Sequence, residues 1–177
     1  MKKKFTYIFL IMVCLFLNTS VDAKSQQVKM GYQQFRINGG SSNVVTYYID
    51  GENYFRIRDL AFALKGTNKK FNIGYNSAKN EIVLYRGQDY NSSGDIVVFD
   101  NDALANDFTG VLNLDGESRL INMYNIKGYN YCKISDIAKM LDFNLKYENV
   151  SRAISINTNE SFPIDKNRAG IFPDELN

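Results

Sequence analysis

A tyrosine two residues before a cation occurs twice in this chain, as Tyr54 with Arg56 and as Tyr131 with Lys133. On a strand, residues two apart share a face, so each pair sets an aromatic ring beside a positive charge. Such a pair can stack on a sugar ring or hold an anionic polymer. The plainer alternative is a ring packed under its own cation as a surface pair. These four are the candidate ligand-binding residues. Two acids follow at matching places, Asp59 and Asp136. Paired carboxylates can hydrolyse sugars at separations of about 5 to 10 Å. An apolar run at helical spacing follows each acid, however, so both are read as structural N-caps that accept backbone N–H bonds.

Much chemistry is excluded by composition. The 177 residues include no histidine, which removes His-based acid–base work, His-dependent nucleophilic triads and ordinary zinc or copper sites. No glycine-rich loop precedes a helix in the way a phosphate cradle requires. Asp100, Asp102 and Asp107 lack the glycine and closing glutamate of an EF-hand loop and are read as a solvated connection. Catalytic residues, a metal site and a cofactor are therefore not expected, and the chain is read as non-enzymatic.

The elements that position these residues are repeated. Residues 49–64 and 126–141, 77 positions apart, agree at 8 of 16 places: Ile49/Ile126, Gly51/Gly128, Asn53/Asn130, Tyr54/Tyr131, Ile57/Ile134, Asp59/Asp136, Ala61/Ala138 and Leu64/Leu141. In the first copy, the β-branched and aromatic run at 44–49 predicts a strand. Asp50-Gly51 predicts a tight turn, and Tyr54 to Ile57 a return strand. Leu60, Ala61 and Leu64 predict a short helix, which Gly66 ends. The match runs backwards, with Ile37-Asn38-Gly39 against Leu114-Asp115-Gly116. It also continues after a five-residue gap, with residues 71–75 against 143–147 and 81–84 against 153–156. Both later pairs alternate apolar and polar, as a hairpin does. The fold class expected is α+β: two tandem repeats, each a small antiparallel β-sheet with one short packed helix.

Here the residues carry a resemblance. A hydrophobic residue, then Gly, Asn-Tyr, a cation, a hydrophobic residue and Asp before the helix, with Phe and Tyr on the following strand, resembles the copper amine oxidase N-terminal-like domain family. Leu64, Lys65, Gly66 and Thr67, and the later Gly87, Tyr90 and Gly94, fit that family's first repeat. The second copy departs from it, with Ser135 where the first has Arg58. The resemblance spans roughly residues 35–158. It implies a small antiparallel sheet with a packed helix, in an accessory module of secreted and cell-surface bacterial proteins that holds no copper.

The chain opens with Lys2, Lys3 and Lys4, an apolar run at 5–17, and Val21 and Ala23 spaced for cleavage. That is the pattern of a secretory signal peptide. Removing its three lysines and one aspartate from 21 basic and 19 acidic residues leaves 18 of each. A neutral chain gives no reason to expect nucleic acid. Cleavage also leaves Cys132 as the sole cysteine, hence no internal disulfide, and it is read as a buried core residue in the place of Phe55. The organisation expected is a signal peptide at 1–23, a polar lead-in at 24–34, a first repeat at 35–95, a connecting segment at 96–112, a second repeat at 113–158 and an extended tail at 159–177. Residues 96–99 within the connection are expected to form a strand, and Phe162, Ile171 and Phe172 are candidates for docking on a repeat.

The function expected is a secreted or cell-surface binding module for cell-wall polysaccharide, with no transmembrane span once the signal peptide is removed. The alternative is a structural or inhibitory partner of another extracellular protein, engaged through an exposed strand edge.

Overall fold

Four dipeptides ending in glycine turn the chain back on itself: Asn38-Gly39, Asp50-Gly51, Asp115-Gly116 and Lys127-Gly128. The first residue of each has φ between 49° and 54° and the glycine between 83° and 94°. Two successive positive φ values are what a two-residue hairpin with the right strand twist demands. In the computed structural model, which describes residues 24–90 and 101–163, these turns join β1 (Ser25–Ile37), β2 (Gly40–Ile49) and β3 (Glu52–Arg56), and later β6 (Asp102–Leu114), β7 (Glu117–Ile126) and β8 (Tyr129–Lys133). Each third strand runs directly into a helix, α1 (Ile57–Ala63) or α2 (Ile134–Leu141). A hairpin follows each helix: β4 (Phe71–Asn76) with β5 (Glu81–Arg86), and β9 (Asn144–Glu148) with β10 (Ala153–Asn157).

The same order of elements occurs twice, yet two separate sheets do not form. One ten-stranded mixed sheet runs β4-β5-β6-β7-β8-β3-β2-β1-β10-β9, with a further pairing of β6 to β1. The expectation of two tandem α+β repeats, each with its own antiparallel sheet, is overturned by how the last hairpins are placed. β5 lies parallel to β6, with Ile82 opposite Leu112. β10 lies parallel to β1, with Ile154 opposite Phe35. Each half thus gives its closing hairpin to the other half. The halves also meet in antiparallel pairs, β3 with β8 and β1 with β6. Through these contacts β1, β2, β3, β8, β7 and β6 close into a ring. The physical gain is on the two 13-residue strands. Each meets its hairpin partner on one side, and on the other side the opposite long strand and then a parallel strand, so few of their buried amides and carbonyls lack partners.

Two apolar cores result. The helices cover one face, where Phe35, Phe55, Leu60, Leu112, Ile137 and Phe143 are among the buried residues. The ring encloses a second core of Val28, Tyr47, Ile49, Tyr54, Ala103, Ala105, Ile126 and Tyr131. Six strands leave room only for side chains, and here tyrosines fill it.

Two segments differ from expectation. Residues 25–34 of the lead-in belong to β1, although mostly polar, because backbone bonds to β2 and β6 hold them while Val28 turns inward. Within the connecting segment, β6 begins at Asp102; Ala103 and Ala105 are small enough to enter the ring core. Asp102 and Asp107 are therefore strand residues, and the Asp107 amide donates to the carbonyl of Lys24 at 3.2 Å. The signal peptide, Gly94, Asp100, the strand expected at 96–99, and Ile171 and Phe172 lie outside the described residues. Phe162 does pack, half-buried, against the helix-side core. Among the described residues, no helix is long and apolar enough to cross a membrane.

Candidate functional site

The antiparallel pairing of β3 and β8 places Tyr54 opposite Lys133 and Arg56 opposite Tyr131. The rings and cations that sequence spacing joins within one strand are instead matched across two. The Lys133 ammonium lies 5.8 Å from the centre of the Tyr54 ring, and the Arg56 guanidinium 5.2 Å from that of Tyr129. Tyr54 and Tyr131 are only 7% and 1% exposed, so neither offers a surface for stacking a ligand. The correction has a simple cause. Pairing of β1 with β6 closes the ring over the face that a lone three-stranded sheet would leave open. Tyr131 packs edge-on against Tyr47, with ring centres 5.3 Å apart, and Tyr54 against Tyr124 at 4.8 Å. Burial pushes the Tyr54 and Tyr131 phenols up from their ordinary range.

The acids are not caps. The N-cap residues are Arg56 and Lys133, neither making a side-chain capping bond, and Asp59 and Asp136 stand in the first helical turn. No linking residue separates strand from helix, which moves each acid inside. A carboxylate there still complements the positive end of the helix. Asp59 also holds a cation. Its Oδ1 accepts from Nε of Arg56 at 3.0 Å and pairs with Nη2 of the same guanidinium. Arg56 is 7% exposed, so the acid neutralises a buried charge. Lys133 uses a different partner, Glu52, at 3.4 Å.

Both predicted cations nevertheless border clefts. The first cleft, about 330 Å³, lies between the end of β3, the β4–β5 hairpin and the β7–β8 turn; Arg56, Arg58, Tyr75, Tyr129 and Asn130 line it over a floor of Ile57, Ile73 and Ile82. The second, about 410 Å³, lies between the end of β8, β9–β10 and the β2–β3 turn; Lys133, Ser135, Tyr147, Glu52 and Asn53 line it over Ile134, Leu145 and Ile154, with Tyr48 at its side. Most of the two linings correspond under the alignment of the halves. Arg56 becomes Lys133, Arg58 becomes Ser135, Tyr75 becomes Tyr147 and Tyr129 becomes Glu52. Each cleft draws its turn from the other half, so neither exists without the strand pairing.

Sequence reasoning missed Tyr75 and Tyr147, although the alignment already set them opposite each other. They are 62% and 52% exposed. Their signal was a tyrosine kept at the end of the apolar phase of a strand, after Phe71 and Ile73 or Phe143 and Leu145, where the core no longer covers it. Gly74 beside Tyr75 has its own reason: a Cβ there would come within 2.7 Å of the Tyr85 ring, which lies across it.

Compared with protein-family models, with curated proteins and with solved structures, the chain finds no match.

Proposed function

We propose that the chain is a non-catalytic binding module that holds an extended polymer, cell-wall polysaccharide foremost, across its two clefts outside the cell. The observation that carries this reading is the pair of corresponding clefts, each with an exposed tyrosine, Tyr75 or Tyr147, beside a cation. An exposed ring over an apolar floor suits the flat face of a sugar, and a cation beside it suits the sugar's polar edge. Two weak sites on one rigid sheet favour a repetitive ligand, since the second contact forms at a high effective concentration. Export is part of the same reading: it rests on the lysine run, the apolar run and the residues before Lys24. Sequencing the secreted protein is expected to begin at Lys24; a start at Met1 would refute cleavage after Ala23.

The test is co-sedimentation of the full chain with purified wall polysaccharide, using wild type, Tyr75→Ala, Tyr147→Ala and the double variant, each checked for folding by circular dichroism. Each single change is expected to weaken binding and the double change to abolish it. A folded double variant that sediments like wild type would remove the clefts from consideration. A second reading has its own observation: among the described residues, β4 and β9 end the sheet, each pairing on one side only. A partner protein can add a strand to such an edge. Wild-type protein that stays in the supernatant with polysaccharide, yet captures a secreted protein, would favour that reading.

A further inference from the structure

A half-turn exchanges the two clefts. β3 ends at the first and β8 at the second. These strands are antiparallel, with Phe55 opposite Cys132, its counterpart in the aligned halves. β1 and β6 are antiparallel as well, with Gln27 opposite its counterpart Leu104. One approximate twofold axis therefore passes through both contacts and crosses the ring between them. Residues paired across an antiparallel ribbon share a face, so the axis stands normal to the β3–β8 ribbon. The clefts lie at opposite ends of that ribbon and point in opposite directions along it.

A sugar chain has a direction, because each glycosidic bond runs from the anomeric carbon of one unit to a hydroxyl oxygen of the next. A single chain that crossed the axis to enter both clefts would meet corresponding walls in opposite directions. Contacts that Tyr75 makes with one side of the repeating unit would then be lost at Tyr147. Two chains running antiparallel meet both sets of walls in the same way. The two clefts differ at one wall, where Tyr129 is matched by Glu52. The exposed ring is kept, and the floor of Ile57, Ile73 and Ile82 is matched by Ile134, Leu145 and Ile154.

We infer that the protein bridges two polymer chains, one in each cleft, running in opposite directions. This rests on the binding-module reading and adds how the polymer is presented: the polysaccharide that spans the clefts supplies neighbouring chains, and one sheet holds them together.

The test is two-chain capture by the full chain. One pool of soluble wall-polysaccharide fragments is fixed sparsely on beads, protein is added, and a second, fluorescent pool of the same fragments follows. Wild type is expected to bind the beads and retain the second pool. Tyr75→Ala and Tyr147→Ala alter exposed side chains and are checked for folding by circular dichroism. Each is expected to stay on the beads more weakly through its intact cleft and, per protein bound, to lose most of the retained fluorescence. Wild type that binds the beads without retaining the second pool would overturn the bridging and leave the polysaccharide reading standing. Single variants that retain as much second pool per bound protein as wild type would also overturn it, because the bridge would then come from association of copies. Wild type that fails to bind the beads at all would remove the polysaccharide reading, and the bridging with it.

Discussion

Phe55 and Cys132 lie directly opposite each other in the β3–β8 pair, and each is the residue that replaces the other when the two halves are aligned. The halves therefore meet at a point where one position faces its own counterpart. Gln27 and Leu104 obey the same rule where β1 meets β6, and the pairs flanking Phe55 and Cys132 are exchanged by it: Tyr54 faces Lys133, the counterpart of Arg56, and Arg56 faces Tyr131, the counterpart of Tyr54. At such a place identical large residues compete for one space. Phe55 takes it, packed 5.1 Å from Phe35, and a small thiol stands opposite.

That complementarity yields a first prediction. Cys132→Phe is expected to destabilise the protein by roughly 1–3 kcal/mol, through overpacking of a fully buried site. Urea unfolding followed by circular dichroism measures it. An unchanged midpoint would show that the core has room for two rings.

The same cysteine is expected to be chemically silent. It is fully buried, and burial pushes its thiol up, with Asp136 adding to the effect. Thiolate, not thiol, attacks alkylating reagents. Iodoacetamide at pH 8 should leave the peptide bearing Cys132 unmodified in native protein and modify it in urea. Mass spectrometry of the digest separates it from Cys14, and rapid native labelling would contradict the packing described.

The two first-turn acids should not be equivalent. Asp59 neutralises buried Arg56, whereas the corresponding Lys133 draws on Glu52. Removing one member of a buried pair costs about 3 kcal/mol or more. Asp59→Ala is thus expected to lower stability by about that amount, and by more than Asp136→Ala does. Equal losses in denaturant melts would return both acids to a common role at the helix start.

Low pH should loosen the segment after β10. The Phe162 amide donates to Asp142 at 3.0 Å and the Ser161 hydroxyl donates at 3.1 Å, and these bonds hold the Asp142 carboxyl below its ordinary value of 3.8. Because the folded value is lowered, the contact contributes fully above 3.8 and is lost as pH falls through the lower, folded value. Hydrogen exchange at Phe162 is expected to accelerate there, relative to its intrinsic rate, before the sheet core opens. Protection that persists until global unfolding would refute the link.

Neither half should fold as a monomer. Residues 24–95 alone lack the strand beside β5 and the partner that closes the ring, and they would expose the Tyr47 and Tyr54 face. Sedimentation and thermal melting are expected to show an unfolded or self-associated species. A monomer with a cooperative melt would contradict the exchange of hairpins.

Local structure was legible in the residues. Turns at Asn38-Gly39 and Asp50-Gly51 follow from the φ that a tight hairpin needs, and the switch from strand to helix near Ile57 follows from a change of apolar period. Gly66 is found at φ 81° just past α1. The repeat made the second half readable from the first. Burial of Cys132, the docking of Phe162 and the nearness of Arg56 and Lys133 to clefts were within reach as well.

What the residues by themselves determined is the set of elements and their order, because turn chemistry and hydrophobic period act between neighbours in the chain. Which strand lies beside which was decided only in the tertiary structure, because a backbone N–H or C=O pairs equally well with any strand presented to it. The parallel seat of β5 on β6 and the closure of β1 on β6 have no local signature. That choice buries Tyr54 and Tyr131, brings Tyr129 of one half beside Arg56 of the other, and so builds clefts from residues more than 70 positions apart.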